Sequence, residues 1–147
     1  GESTVAEAVV DPNAGVINEF RANEGRVGGY FEGAPVVLLH HVGRKSGQSY
    51  VSPVLYLKLD DDERTIYVFA SKAGAPENPA WHHNLTSAGV ATVEVGTETY
   101  PVTVSEVKGD ERDRIYAEQV RRYPNFGEYE RKVAGIRTIP VLALRRV

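Results

Sequence analysis

The chain has 147 residues, of which 41% are hydrophobic and 25% charged, with 17 basic and 20 acidic side chains and a net charge of −3. This length accommodates one domain of ordinary size with a sizeable core. The absence of cysteine excludes disulfides and thiolate metal sites, and no apolar run approaches the ~20 residues of a membrane-spanning helix. The near-neutral charge disfavours a general nucleic-acid binder.

The first fifteen residues lack a strong pattern, and the chain contains no methionine, so Gly1 is not a natural translation start. We interpret residues 1–15 as a flexible tail that is a remnant of cloning, and residues 16–147 as a single domain. The pattern favours an unattached tail on a cytoplasmic protein. The apolar residues between Val5 and Val10 leave open a weak association with a membrane surface, at the inner face of the plasma membrane.

From Val16 onward, periodicity predicts a short helix that Gly25 ends, and then strands that hairpins connect. The strands are predicted at 36–41, 50–59, 65–70, 90–95, 99–107 and 138–144, with later helices at 79–85, before Pro124, and at 127–133. Six such strands without βαβ alternation predict an α+β fold, mainly β, in which an antiparallel barrel or sandwich carries helices on its surface. Pro53 lies inside the second strand and indicates a sheet edge or a bulge, because proline cannot donate to the ladder.

The sequence contains no nucleophile elbow, zinc-protease motif, P-loop or dinucleotide fingerprint. The histidines form two adjacent pairs, His40-His41 and His82-His83. Neighbours on a strand point to opposite faces, and neighbours on a helix lie ~100° apart, so neither pair readily chelates one metal. We therefore expect structural or solvent-facing histidines and no metal, and a metal site assembled across the two pairs is the alternative.

The turn GRKSGQ, residues 43–48, places two cations and a serine between two glycines. Such a turn can present backbone N–H groups and positive side chains to a phosphate or carboxylate. A solvated hairpin turn is the alternative, and charged glycine turns are common.

The loop SKAGAPENPAW, residues 71–81, combines small residues with Lys72 and leads into a helix that Asn78 is predicted to cap. Two such loops in a chain without acid–base motifs point to a bulky anionic cofactor that supplies its own chemistry. The aromatic residues Tyr123, Phe126 and Tyr129 either pack in the core or form the wall of a pocket for a flat ligand.

These segments, in this order, resemble the deazaflavin-dependent nitroreductase family of actinobacteria, whose coenzyme is F420, an 8-hydroxy-5-deazaflavin. The matching stretches are GRKSGQ at 43–48, VSPVLY at 51–56, FASKAGAPENPAWHHNL at 69–85, YPNFGEY at 123–129 and RTIPV at 137–141. The resemblance implies a split β-barrel related to flavin mononucleotide-binding barrels. It also implies hydride transfer from reduced F420 to a quinone or nitroaromatic acceptor.

The resemblance further implies roles for individual residues. The turn residues Arg44, Lys45, Ser46 and Gly47 would hold the phosphate and polyglutamate tail of F420. Tyr123, Tyr129 and Ser71 would act in the substrate step. The deazaflavin and its linker would be lined by Pro53, Ala70, Ser71, Lys72, Trp81 and Asn84.

The chain departs from the family at two positions. Tyr50 stands where relatives carry an arginine, which removes one anion contact. Phe126 stands where relatives carry a pocket tyrosine, which argues against nitroimidazole reduction more than against quinone reduction. A flavin mononucleotide enzyme of the related barrel fold and a non-catalytic F420 carrier remain alternatives, and the sequence predicts no oligomeric state.

Overall fold

The structure is a computed structural model that describes residues 13–147. The tail predicted at residues 1–15 and its apolar positions 5–10 fall almost wholly outside the described residues, although Ala14 and Gly15 already belong to the first helix. The helices are α1 (Ala14–Ala22), α2 (Ala80–Ala88), α3 (Gly109–Arg122) and α4 (Asn125–Lys132). The strands are β1 (Val36–Val42), β2 (Ser49–Leu57), β3 (Thr65–Phe69), β4 (Val90–Val95), β5 (Glu98–Val107) and β6 (Val141–Arg146).

The six strands form a closed antiparallel barrel in the order β1-β2-β3-β6-β5-β4. Hairpins connect β1 to β2 and β4 to β5, as the turn residues predict. The predicted barrel with surface helices is therefore confirmed.

Strand β1 is buried on both faces, which explains its unbroken apolar run. Val37 and Leu39 point into the barrel, whereas Val36 and Leu38 point outward and pack under α1 with Phe20. A strand covered on both sides reads as a continuous hydrophobic segment rather than an alternating one. The adjacent His40 and His41 consequently lie on opposite faces of the sheet.

Helix α2 packs Trp81 and Leu85 into the barrel core. Gly89 ends the helix in the left-handed conformation, with φ of 74°, which glycine adopts without strain. The predicted cap at Asn78 is wrong by one position, because the helix begins at Ala80 with Pro79 at the N-cap and without a side-chain cap. The Asn78 side-chain oxygen instead accepts a hydrogen bond from Arg137, at 2.6 Å.

A second core lies between the outside of the barrel and helices α3 and α4. Ile115, Tyr116 and Phe126 pack there against Phe69 and Val141. The sixth strand begins three residues later than predicted, at Val141, because Arg112 binds the Ile139 carbonyl oxygen and Pro140 has no N–H for a ladder.

Strands β2 and β3 separate soon after they meet. They pair only at Tyr56 with Val68 and at Leu57 with Tyr67, so residues 49–55 of β2 have no partner strand on this side within residues 13–147. Continued pairing would set Ser71 opposite Pro53, but Ser71 turns away with φ −77° and ψ −37°. The predicted edge at Pro53 is confirmed, and the unbroken register of β1 with β2 excludes a bulge there.

No helix within residues 13–147 is long and apolar enough to cross a membrane.

Candidate functional site

A pocket of about 1340 Å³ opens between the β1–β2 turn and helices α1 and α2. The side chains that line it include those of His41, Arg44, Lys45, Trp81 and Asn84. Five of the predicted coenzyme-binding residues, on two elements far apart in the sequence, are thus brought together, because Ser46 lines the same pocket.

The Gly43–Gln48 turn is compact because its own backbone and serine close it. Gly43 N–H donates to Gln48 O at 2.8 Å, and Gly47 N–H donates to Gly43 O at 2.9 Å. Ser46 Oγ accepts from Gln48 N–H at 3.1 Å and lies where a Cβ on Gly43 would come within 2.5 Å. A side chain at position 43 would therefore displace the Ser46 hydroxyl, and Gly47 has a φ of +73°, which favours glycine.

The cations of the two predicted binding loops differ in their surroundings. Arg44 and Lys45 are exposed and form no salt bridge with any carboxylate in the part of the chain from residue 13 onward. Lys72 Nζ instead lies 2.7 Å from Glu77 Oε2, and this ammonium lowers the pKa of the Glu77 carboxyl. Among residues 13–147, the turn thus offers two positive charges without a carboxylate partner and a glycine cradle, which fit an anionic phosphate and carboxylate tail.

Asn84 fixes the turn to helix α2. Its Oδ1 accepts the Arg44 backbone N–H at 3.0 Å, and its Nδ2 lies 2.9 Å from His41 Nδ1. His41 Nε2 lies 2.9 Å from Ser52 Oγ on β2, and the His41 ring stacks on Tyr50 at 5.6 Å. The position of the basic turn is therefore set by side chains of β1, β2 and α2.

Of the predicted coenzyme residues that do not line this pocket, Gly47 belongs to the turn itself, and the others lie where β2 and β3 separate. Pro53 is half-buried on the unpaired part of β2, and Ser71 and Lys72 follow β3. The side chain of Ala70 is fully buried in the barrel core, and its carbonyl oxygen accepts from Arg137. At the place where β2 and β3 separate, Ala70 therefore contributes its main chain and not its side chain.

Arg137 organises the loop that follows β3. Its guanidinium donates to the carbonyl oxygens of Ala70 at 3.1 Å, Ser71 at 2.9 Å and Ala75 at 3.0 Å, and to Asn78 Oδ1. Helix α4 packs on the same loop, where Lys132 lies against Gly74. The sequence pattern gave no role to Arg137, although the quoted RTIPV segment contains it.

The predicted substrate-step tyrosines do not line the pocket. Tyr123 ends α3 and is half-buried, and Tyr129 on α4 accepts a hydrogen bond from Asn125 Nδ2 at 2.9 Å. Phe126 lies between the helices at 5.2 Å from the Tyr129 ring and is buried, which is the packing role considered for this group. Helix α4, which carries Tyr129, packs on the loop after β3 at Lys72–Gly74.

His40 and Glu94 form a second polar group at the pocket wall that sequence reasoning did not identify. His40 Nε2 lies 2.6 Å from Glu94 Oε2, and Arg21 of α1 binds both oxygens of the same carboxylate. Arg21 and His40 together lower the pKa of Glu94. No group of three histidine, aspartate or glutamate side chains within residues 13–147 is arranged to hold a metal ion.

Comparison with known proteins identifies the relatives of this chain. The family model for F420H2-dependent quinone reductases matches residues 15–146. An F420H2-dependent quinone reductase of Mycobacterium tuberculosis strain H37Rv is 31% identical over 129 residues, which cover 86% of this chain and 85% of that protein. A second protein of the same strain is 34% identical over 117 residues, covering 80% and 94%.

Among solved structures, an F420-H2 dependent reductase superposes with a TM-score of 0.65 at 30% identity, covering 76% of this chain and 94% of that one. A chain solved as a domain-swapped dimer has a TM-score of 0.67 at 26% identity. A pyridoxamine 5′-phosphate oxidase-related FMN-binding protein has a TM-score of 0.51 at 12% identity and shares the fold alone. The matched length, together with the basic turn at the pocket, shows that the chain belongs to the F420H2-dependent quinone reductase family.

Proposed function

We propose that this protein binds reduced coenzyme F420 and catalyses hydride transfer from it to a quinone. The single observation that carries the proposal is the pair Arg44 and Lys45, whose charges face a large pocket without a carboxylate partner within the described residues. A protein with a net charge of −3 needs such a local cluster to bind a polyanion. Family membership supplies the identity of that polyanion.

In this proposal, Arg44, Lys45, Ser46 and Gly47 hold the phosphate and carboxylates of the coenzyme tail. Trp81 and Asn84 line the adjoining part of the pocket, and Asn84 acts through the main chain of Arg44. The unpaired part of β2 at Pro53 and the loop at Ala70–Lys72 receive the linker and ring. Bound reduced F420 supplies the hydride, so the protein contributes binding, orientation and exclusion of water rather than a nucleophile.

The quinone oxygens gain negative charge as the hydride arrives and then require protons. We propose that Tyr123, with Tyr129 as the alternative, donates a hydrogen bond to such an oxygen, since a phenol with a pKa of ~10 is protonated at neutral pH. Ser71 is the third candidate donor, because it lies where β2 and β3 separate. Burial raises the pKa of the nearby Tyr56 phenol, and the charges of Tyr100 and Tyr123 act in the same direction.

The test is titration of the purified protein with F420 and, separately, with flavin mononucleotide, followed by oxidation of reduced F420 with and without menadione. We expect micromolar or tighter binding of F420, much weaker binding of flavin mononucleotide, and oxidation that depends on menadione. Equal affinity for flavin mononucleotide would favour the related flavin enzyme instead. Tight F420 binding without menadione-dependent turnover would favour a carrier.

The finer choice of acceptor follows from the aromatic residues. We propose quinones as the main acceptors and only weak reduction of nitroimidazoles, because Phe126 is buried and lacks a hydroxyl. Parallel assays with menadione and a nitroimidazole measure this preference.

Weak membrane-surface association is a separate proposal that rests on residues 5–10, and sedimentation with anionic vesicles tests it.

A further inference from the structure

The strongest unassigned feature is a chain of hydrogen bonds that links the barrel to the basic turn. It runs from Ser52 Oγ to His41 Nε2, from His41 Nδ1 to Asn84 Nδ2, and from Asn84 Oδ1 to the Arg44 backbone N–H, with distances of 2.9, 2.9 and 3.0 Å. His41 and Asn84 are both buried, with 7% of each residue exposed. The main chain of Arg44 is thus held by two buried polar side chains in series.

The donor and the acceptor of every hydrogen bond in this chain follow from the last bond, between the Arg44 N–H and Asn84. A backbone N–H can only donate, so the Asn84 atom that faces Arg44 is the carbonyl oxygen. The other amide atom of Asn84 is then the NH₂ group, which donates to His41 Nδ1. His41 Nδ1 therefore carries a lone pair, and its ring proton sits on Nε2 and donates to Ser52 Oγ.

Protonation of His41 is incompatible with this arrangement. A cationic imidazole carries hydrogens on both nitrogens, and the Nδ1 hydrogen would face the Asn84 NH₂ group. Rotating the Asn84 amide would satisfy His41 but would turn NH₂ toward the Arg44 N–H, so that bond would be lost. Without that rotation, two donors face each other at the contact between His41 and Asn84. With it, the turn loses its hydrogen bond to α2.

We propose that His41 is a positioning residue that holds the Gly43–Gln48 turn in its binding geometry only while its imidazole is neutral, so that proton uptake by His41 competes with binding of the anionic coenzyme. This inference rests on the proposed function, because it assigns the turn to the coenzyme tail. The geometry predicts the opposite of simple electrostatics, in which an added positive charge would strengthen binding of an anion.

The neutral state is the one favoured at physiological pH. Burial, and then the neighbouring His40, lower the pKa of His41 below its ordinary value near 6.5. The titratable groups around it are His40 on β1, Tyr50 on β2, His83 on α2, Arg21 on α1, and Arg44 and Lys45 on the turn. Glu94 on β4 is the nearby carboxylate, and it is engaged with His40 and Arg21.

Two substitutions separate the halves of the chain of bonds. In His41→Asn, the side-chain oxygen can replace Nδ1 as the acceptor for Asn84, without a group that titrates. In His41→Gln, the amide NH₂ replaces Nε2 as donor to Ser52, and the acceptor for Asn84 is lost. His83→Asn is the matched control, since it removes another histidine that lines the pocket without touching the chain.

The first readout uses the protein without coenzyme. Amide hydrogen exchange, measured by NMR, reports whether the Arg44 N–H is bonded to Asn84. We expect strong protection at pH 7.5 in the wild type and in His41→Asn, and loss of protection in His41→Gln. Arg44 protection relative to barrel amides should fall toward pH 5.0 in the wild type and in His83→Asn, and should stay constant in His41→Asn.

The second readout is the Kd for F420 between pH 8.0 and 5.0, by fluorescence titration. The coenzyme's own titration is common to all variants and cancels in their ratio. We expect the wild-type Kd to rise at least threefold more than that of His41→Asn by pH 5.0, and linkage limits the difference to about tenfold per pH unit. His41→Gln should bind at least threefold more weakly than His41→Asn at pH 7.5.

Parallel pH dependence in the wild type and His41→Asn, or tighter wild-type binding at low pH relative to that variant, would overturn the proposal. So would full Arg44 protection in His41→Gln. A complete lack of F420 binding at pH 7.5 would overturn the proposed function and hence the coupling, whereas the exchange data would still report on the chain of bonds by themselves.

Discussion

Arg44, Lys45 and Lys72 are all predicted to bind the coenzyme, but their electrostatic surroundings differ. Lys72 is paired with Glu77, so part of its charge is already compensated before any ligand arrives. Arg44 and Lys45 lie on an exposed turn and have no salt bridge within the described residues. We therefore expect the turn, more than the loop after β3, to determine affinity for a polyanion.

Substitution of the turn cations tests this difference. Arg44→Ala or Lys45→Ala should each weaken F420 binding by about 1.5–3 kcal/mol if the hydrogen bonds are charge-assisted and shielded, and by less where water screens them. Lys72→Ala should cost less, because removing it also removes its pairing with Glu77. Fluorescence titration at constant ionic strength gives the three values, and equal affinities in all variants would reduce the turn to a solvated hairpin.

Tyr123 is the residue for which the substrate role and the packing role are most evenly balanced. Its ring packs against the second core, and its position at the end of α3 leaves it half-buried. Tyr123→Phe keeps the ring and removes only the hydroxyl. It should lower quinone turnover by as much as ~10²-fold if the phenol donates a proton, or a fewfold if solvent substitutes, with unchanged Kd for F420.

The control for Tyr123 is Tyr116→Phe. The Tyr116 hydroxyl donates to the Phe126 carbonyl oxygen at 2.7 Å in the same core, and burial raises the pKa of this phenol well above its ordinary value. This control should lower stability and leave turnover per folded molecule intact. Wild-type turnover in Tyr123→Phe would assign Tyr123 to packing and transfer the test to Tyr129.

At the scale of elements, the loop after β3 depends on Arg137 for its shape. Lys72, Ala73 and Gly74 have φ values of 48°, 54° and 85°, a left-handed succession that two non-glycine residues adopt only at a cost in energy. The Arg137 guanidinium, which binds three loop carbonyls and Asn78, offsets that cost. The loop's conformation is therefore imposed from the C-terminal segment.

Arg137→Lys measures how much of this depends on the planar guanidinium. A lysine keeps the charge but cannot reach the same four acceptors, so we expect unfolding free energy to fall by about 1–3 kcal/mol. Arg131→Lys on the exposed side of α4 is the matched control and should be neutral. Urea denaturation gives both values, and an unchanged midpoint in Arg137→Lys would show that α4 packing alone holds the loop.

Helix α2 contains an apparent cost to stability at His82. This residue is buried, and neither ring nitrogen has a hydrogen-bond partner within the described residues. Burial, followed by the charge of His83, lowers the pKa of His82. Because the unfolded chain binds a proton more readily, stability should fall as pH drops through the unfolded value near 6.5.

His82→Phe removes both unpaired nitrogens and the titration. We expect the free energy of unfolding of the variant at pH 7.5 to exceed that of the wild type by about 1 kcal/mol. The variant should also lose less stability between pH 7.5 and 5.0. Urea denaturation at the two pH values provides the comparison, and Leu85→Ala, which should cost about 2–5 kcal/mol, calibrates the same helix. A less stable His82→Phe would indicate that ordered water satisfies the imidazole.

At the scale of the whole molecule, a protein with a net charge of −3 must bind an anion against its overall field. The attraction is therefore local to the turn and partly screened, and the Kd for F420 should rise as salt increases from 50 to 500 mM. Arg44→Ala should show a shallower dependence, since it removes one of the screened charges. Salt-independent binding would place the coenzyme in a buried apolar site instead.

The sequence by itself determined the elements and the family. Alternating and continuous apolar runs predicted all six strands within a few residues, because the pleat and the covered faces of a sheet impose these patterns locally. Pro53 predicted an edge because a missing N–H is a property of one residue. The GRKSGQ and SKAGAPENPAW segments carried the resemblance because each is contiguous in the sequence and can be compared without knowledge of the fold.

Only the tertiary structure decided which residues meet. Asn84 reaches Arg44 through the seating of α2 against the barrel, and Arg137 reaches the loop after β3 across 59–67 residues of sequence. The wrong prediction of an N-cap at Asn78 has the same origin. The Asn78 side-chain oxygen, which the local capping rule assigned to the helix, accepts a hydrogen bond from the distant Arg137. Hydrogen bonds between segments far apart in sequence leave no periodic signal. The roles of His41 and Arg137 could therefore be recognised only from the tertiary structure.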